Sequence, residues 1–157
     1  MSRSTRATLA LAKAGAEFEV LTYDYDPAAG RIGIQAADAL GVSPAIVLKT
    51  LMAEVDGKPV CVVIPSDKEV SMKKLAAAFR GKSANMMKPA IAEKATGYVV
   101  GGISPFGQKK QVPTVFEAEA MAHDFVFMNG GQRGLQVRLK PQAAVKAANA
   151  ISASVII

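Results

Sequence analysis

Lys49 stands in the run VLKTLM, an ammonium among Val47, Leu48, Leu51 and Met52. On a strand it shares a face with Val47 and Leu51, while Leu48, Thr50 and Met52 take the other. Burying that charge is costly unless a negative group meets it. The run therefore reads either as a binding lysine for an anion, or as an edge lysine whose stem lies on apolar surface with its head in water. Two glycine loops belong to the same question. In TGYVVGGISPFGQKK (Thr96 to Lys110), Gly101 and Gly102 open dihedrals closed to other residues, and Pro105 stiffens the chain after Ser104. Successive amides there could cradle an anion, with Lys109 and Lys110 adding attraction; the same residues also suit an elaborate turn. In NGGQRG, Gly130, Gly131 and Gly134 bracket Arg133, whose forked donors suit phosphate or carboxylate. Two such loops beside a mid-strand lysine converge on an anionic ligand.

The familiar catalytic sets are absent from the sequence. A lone His123 cannot build a multi-histidine metal site or support a Cys-His or Ser-His pair, so a surface or hydrogen-bonded histidine is the simpler reading. Cys61, in PVCVVIP, has no basic sequence neighbour to lower its pKa and reads as a buried, inert thiol. Neither GxxxxGK[ST] nor GxGxxG occurs. No metal and no cofactor is expected, and an enzyme built from this chain would work without a standard side-chain nucleophile.

Elements must position these residues. The 157 residues are most simply one domain spanning 1–157, and 50% hydrophobic against 20% charged residues exclude a disordered class. The single cysteine rules out an intramolecular disulfide. The net charge of +6 is concentrated from Ser66 to Lys94, where seven basic residues face three acidic ones, a balance that favours a polyanionic partner or a solvated surface. No signal-peptide core and no membrane-length apolar run is present, so the cytoplasm is the expected location and no membrane is involved.

A helix is predicted after Ser4 as N-cap, ending near Gly15, and a strand over EFEVLTYDY with Phe18 and Val20 on one face and Leu21, Tyr23 and Tyr25 on the other. IGIQAADALG reads as a helix ended by Gly41. Ala45 to Val55, Asp56-Gly57 and PVCVVIP form a hairpin with a type I′ turn, its second strand apolar on both faces. Helices follow from Ser71 to a stop at Gly81 and from Pro89 to about Ala95. Tyr98–Val100 and Val112–Phe116 read as strands, FVFM and LQVRL as a hairpin with Leu135, Val137 and Leu139 inward, and Pro141 as the start of a last helix. The expected fold is α/β (α+β): a mixed, largely antiparallel sheet with helices around it.

The blocks LTYDYDP (Leu21 to Pro27), LKTL (Leu48 to Leu51), TGYVVGGISPFGQKK and GGQRGL (Gly130 to Leu135), in that order, resemble the YbaK/EbsC family of aminoacyl-tRNA deacylases, related to the editing domain of bacterial prolyl-tRNA synthetases. The resemblance covers nearly the whole chain and implies that family's curved sheet. It also implies a free-standing enzyme that hydrolyses the ester between a wrong amino acid and the 3′-terminal adenosine of tRNA, typically Cys-tRNA(Pro), with prolyl-tRNA synthetase as a further partner. In the cysteine-specific branch the substrate thiol attacks its own carbonyl.

On that resemblance Lys49 is the catalytic lysine and Tyr23 the site tyrosine, Gly101, Gly102 and Ser104 line the pocket, and Gly130, Gly131 and Arg133 close it. The chain departs from the cysteine-specific pattern where Ile32 replaces a phenylalanine before Gly33, and where Asn129, Gln132 and Gln136 replace serine, lysine and aspartate. These departures leave open a deacylase for another small ester such as Ala-tRNA(Pro), or a tRNA- or synthetase-binding module without turnover. The residues by themselves would also allow a small-anion-binding regulator.

Overall fold

The computed structural model describes residues 4–157. Eight strands, β1 (Glu19–Thr22), β2 (Val47–Val55), β3 (Lys58–Pro65), β4 (Ala84–Met86), β5 (Thr114–Glu117), β6 (Val126–Asn129), β7 (Leu135–Leu139) and β8 (Ile151–Ala153), make one sheet. Its order is β1-β7-β6-β2-β3-β5-β8, with β4 added to β2 off that path. Four pairings are antiparallel and three parallel, as the expected mixed sheet requires. Five helices cover it: α1 (Arg6–Lys13), α2 (Ile32–Leu40), α3 (Met72–Ala78), α4 (Pro89–Thr96) and α5 (Pro141–Ala147).

The β2–β3 hairpin is the spine. Asp56 and Gly57 take φ of 50° and 79°, the paired left-handed values of a type I′ turn, whose twist matches the strands it joins. β3 alternates between two cores. Cys61 and Val63 lie in one cluster with Leu11 of α1, Ala92 of α4 and Ala144 of α5; Val62 and Ile64 lie in another with Leu75 of α3. Helices on both faces explain why that strand is apolar throughout. Ala36 and Ala37 of α2 cover Val47 and Phe127. In β7, Leu135, Val137 and Leu139 are all buried, as their alternation predicts.

Several expectations fail in instructive ways. The cap of α1 is Thr5, not Ser4: its side chain accepts from Thr8 N–H while Thr8 Oγ1 accepts from Thr5 N–H, a reciprocal capping box. Only Glu19–Thr22 of the long alternating run pairs, although Phe18 and Val20 do face one core and Leu21 and Tyr23 the other. α3 does end before Gly81, and the left-handed residue of that stop is Arg80, with φ 56°. Tyr98–Val100 is no strand. Its amides are already engaged: Tyr98 N–H donates to Thr96 Oγ1 at 3.1 Å and Val100 N–H to Glu93 Oε2 at 2.7 Å. β4 and β8, three residues each, carry no readable alternation and exist because β2 and β5 offer them an edge.

Candidate active site

A cavity of about 300 Å³ opens where β2, α2, α4 and the glycine loop meet. β2 contributes Leu48 to Met52, α2 contributes Ile32 and Gly33, and the chain around β4 and α4 contributes Met86, Met87, Pro89 and Ala92. Val100, Gly101 and Ile103 close it from the loop, with Asn129 and Gln136 from the β6–β7 hairpin. Among the described residues Lys49 is the only charged one in this lining, so a single cation sits in an otherwise neutral, mostly apolar wall.

Lys49 is half-buried, and burial is the main reason its ammonium pKa falls below the usual value. Glu69 pulls it back up, Arg31 pushes it down, and Asp67 pulls it up again. No carboxylate comes within ion-pairing distance of it among the described residues. The same side chain borders a second, polar cavity of about 170 Å³, lined also by Arg31, Ser66, Asp67, Lys68 and Glu69. Lys49 thus stands at the junction of an apolar chamber and a charged one.

Local chemistry explains how the walls come so close. An added Cβ on Gly33 would lie 2.1 Å from Ser66 Oγ, whose hydroxyl donates to Val47 C=O, so α2 comes this close to the residue after β3 because glycine stands at this position. Gly101 has φ of 93°, and a Cβ there would meet Arg133 Nε and Tyr25 Oη at 3.2 Å and Ile32 Cδ1 at 3.3 Å. Asn129 ties the two loops together. Its Nδ2 donates to Gly101 C=O at 2.8 Å, while its Oδ1 accepts from Gly131 N–H at 2.7 Å and Gln132 N–H at 3.2 Å. Gln108 secures the loop from beneath, donating to Ser104 C=O at 3.0 Å beside the sulfurs of Met52 and Cys61.

Of the residues singled out from sequence, Ile32, Lys49 and Gly101 line the cavity. Arg133 stands at its rim, exposed, with Nε donating to Val100 C=O at 2.9 Å and its guanidinium 5.5 Å from the Tyr25 ring centroid. The others lie behind the wall. Gly102 backs onto Gln132 and Arg133, Ser104 is fully buried and accepts from Phe106 N–H, and Gly130 and Gly131 face Leu135 and Tyr98. Tyr23 lies over α2 beside Leu21, its buried hydroxyl unpartnered and its pKa raised by desolvation and then by Tyr25. Thr50, Met52, Met86 and Met87 were not foreseen, the last two because they arrive on and beside β4. Asn129 and Gln136 were legible only as departures from a motif.

Cys61 takes no part: it is wholly buried and its thiol is pushed up to about 12 by desolvation. Among the described residues no cluster of three or more His, Cys, Asp or Glu is placed to hold a metal, and no helix is long and apolar enough to cross a membrane. A larger groove, about 540 Å³, runs between Phe18, Phe125, Arg138 and Lys146. It holds none of the candidate residues, and its Arg138 is engaged by the Phe125 ring and Glu19. Size alone does not make it the site.

Comparison with known proteins bears on this arrangement. Residues 27–147 match the family model described as aminoacyl-tRNA editing domain. EbsC of Enterococcus faecalis, provisionally named a Cys-tRNA(Pro)/Cys-tRNA(Cys) deacylase, is 39% identical over 115 residues, which cover 72% of this chain and 70% of that one. A proline–tRNA ligase of Acidithiobacillus ferrooxidans is 29% identical over 87 residues, 55% of this chain and 15% of the ligase. A solved structure described, also provisionally, as a trans-editing enzyme for prolyl tRNA synthetase has a TM-score of 0.86 at 20% identity, covering 100% of this chain and 98% of that one, a likeness of fold.

Proposed function

The chain belongs to the aminoacyl-tRNA editing domain family, and from that membership we propose that it is a free-standing deacylase that removes a wrong amino acid from the 3′-terminal adenosine of tRNA, with Cys-tRNA(Pro) as substrate. The observation that carries the reading is the position of Lys49 between an apolar chamber and a polar one. An aminoacyl-adenosine has that polarity: a small side chain at one end, and ribose with its phosphate at the other. With the ester at the junction, the aminoacyl group enters the chamber of Met52, Met86 and Met87, and the ribose-phosphate lies toward Arg31 and Lys68.

Among the described residues the lining of the apolar chamber holds no serine, cysteine, histidine or carboxylate; its one hydroxyl is that of Thr50, and the thiol of Cys61 is buried. In this reading, as in the cysteine-specific branch of the family, the attacking group comes from the substrate. Its thiol sulfur bonds to the carbonyl carbon, the bond from that carbon to the 3′-oxygen breaks, and the thiol proton passes to that oxygen. Free tRNA and a cyclic thiolactone leave. The protein supplies position and charge, Lys49 holding the ester where the tetrahedral oxyanion forms. Arg133, at the rim, bears on the entering strand. Tyr23, Gly102, Ser104, Gly130 and Gly131 act one layer back, holding the wall. The enzyme works in the cytoplasm beside the synthetase that charges the tRNA, and prolyl-tRNA synthetase is the expected partner.

Release of amino acid from tRNA(Pro) charged separately with cysteine, alanine and proline, by wild type and Lys49→Ala, tests this. Rapid release of cysteine alone, lost in the variant, is the expected outcome. Equal release of alanine would refute the thiol route in favour of a ribose hydroxyl. Bound tRNA with no ester cleaved would make the domain a binding module.

A further inference from the structure

β2 has a gap on one edge. Its pairing with β6 stops at Leu48 and its pairing with β4 starts at Ala53, whereas the opposite edge pairs with β3 without a break from Leu48 to Val55. In a strand, the N–H and C=O of one residue point to the same edge and alternate along the chain. Met52 C=O accepts from Met87 N–H at 3.1 Å, on the β4 side, and Val47 C=O accepts from Ser66 N–H at 2.9 Å, on the β3 side. Thr50, two residues from Met52, therefore turns both its N–H and its C=O into the gap.

The cavity lies at this gap. Lys49 and Leu51 reach it from one face of the sheet and Leu48, Thr50 and Met52 from the other, as an edge-on opening requires. Two polar atoms here are buried without partners: Thr50 Oγ1 and Gln136 Oε1, whose residues both line the cavity. Buried polar atoms without partners are uncommon in folded proteins, and these two leave acceptors at the gap to which a ligand's donors can bond.

Resting on the deacylase reading above, we propose that the aminoacyl group docks in this gap as a one-residue strand, Thr50 N–H donating to its carbonyl oxygen and Thr50 C=O accepting from its α-ammonium. An α-amino ester in extended form carries the donor and acceptor of a strand residue. The two bonds are the reciprocal pair that facing residues exchange in an antiparallel ladder. As charge moves onto the carbonyl oxygen, the same fixed amide stabilises it. Residues facing each other in such a ladder put their side chains on one face of the sheet. The substrate side chain then falls beside Thr50 Oγ1 and Met52, where a thiol or hydroxyl can donate and a methyl cannot.

Amide hydrogen exchange of Thr50 reads this directly. Saturation with 3′-(cysteinylamino)-3′-deoxyadenosine, a non-hydrolysable amide, should slow its exchange about tenfold or more, while 3′-amino-3′-deoxyadenosine leaves it unchanged. Removing the α-amino group from the analogue should weaken binding at least about tenfold, the worth of a hydrogen bond from a charged donor. If the analogue saturates the protein and shifts the Gly33 and Gly101 amides but leaves Thr50 exchange unaltered, the strand docking is wrong and the deacylase reading stands. If the amide analogue does not bind, semisynthetic replacement of Thr50 by its α-hydroxy acid deletes the same donor. A kcat/KM on Cys-tRNA lowered about tenfold supports the docking, and an unchanged value overturns it. Failure to cleave any aminoacyl-tRNA would overturn both readings.

Discussion

Replacing Asn129 by alanine should uncouple the two glycine loops while leaving every cavity-lining backbone segment in the chain. The side chain is 8% exposed and makes three hydrogen bonds, one to Gly101 C=O and two from the amides of Gly131 and Gln132. Each bond contributes about 1 kcal/mol net, and up to about 3 kcal/mol where its partner is left buried and dry. Gln132 is half-buried and Arg133 exposed, so water can reach part of this loop. The expected loss is therefore about 2–4 kcal/mol. Urea unfolding measures it as a lowered midpoint at constant m-value.

Activity should fall as well, because Gly101 loses the bond that sets its distance from Ile32 and Arg133. A displacement of about 1 Å at a positioned ester costs about a hundredfold, so kcat/KM on Cys-tRNA(Pro) should drop by that order. Asn129→Asp separates the two roles. It keeps an acceptor for both amides but sets a carboxylate oxygen against Gly101 C=O, so it should spare more stability than alanine while remaining as inactive. A stability change in Asn129→Ala below about 0.5 kcal/mol with full kcat/KM would refute the reasoning.

Gly33→Ala should cost about 1–3 kcal/mol by overpacking against Ser66, and Ser66→Gly should restore part of that loss in the double variant; additive losses would count against a direct clash. Lys49→Met should abolish deacylation yet melt at or above the wild-type temperature, since the fold lowers the pKa of a half-buried ammonium; a clear fall in Tm would mean that the charge is structurally paired. Cys61 and Tyr98 are both raised to about 12 by burial, from 9.0 and 10.0. Above about pH 9 the unfolded chain releases protons that the native state keeps, so these groups contribute stability that is present below that pH and lost as it rises toward 12. Wild type should therefore lose stability relative to Cys61→Val across that window. A difference independent of pH would refute the burial argument.

Much of this architecture was legible because its causes are local. Asp56-Gly57 specifies its own turn, and the unbroken apolar run of β3 announces helices on both faces. The alternation of Leu135, Val137 and Leu139 sets their burial. The helix starts at Pro89 and Pro141 and the stop at Gly41 follow from single residues at helix ends. Where local signals competed, reading failed. Tyr98–Val100 has the composition of a strand, but Thr96 and Glu93 take its amides first. The glycines of the second loop were expected to close the pocket because of the family resemblance. Which neighbour they approach, Leu135 and Tyr98 rather than the cavity, is a matter of packing.

By itself the sequence determined that Lys49 would stand on a strand among apolar neighbours and that two later loops would be glycine-rich, since side-chain period and backbone freedom are properties of a few adjacent residues. Tertiary structure alone decided that β2 would carry a gap on one edge. That gap exists because β6 ends its pairing at Leu48 and a three-residue strand resumes it at Ala53, contacts between segments far apart in the chain. No local pattern encodes where a partner strand stops, and the cavity, its orphaned Thr50 and Gln136 atoms and its exposed backbone follow from that stop.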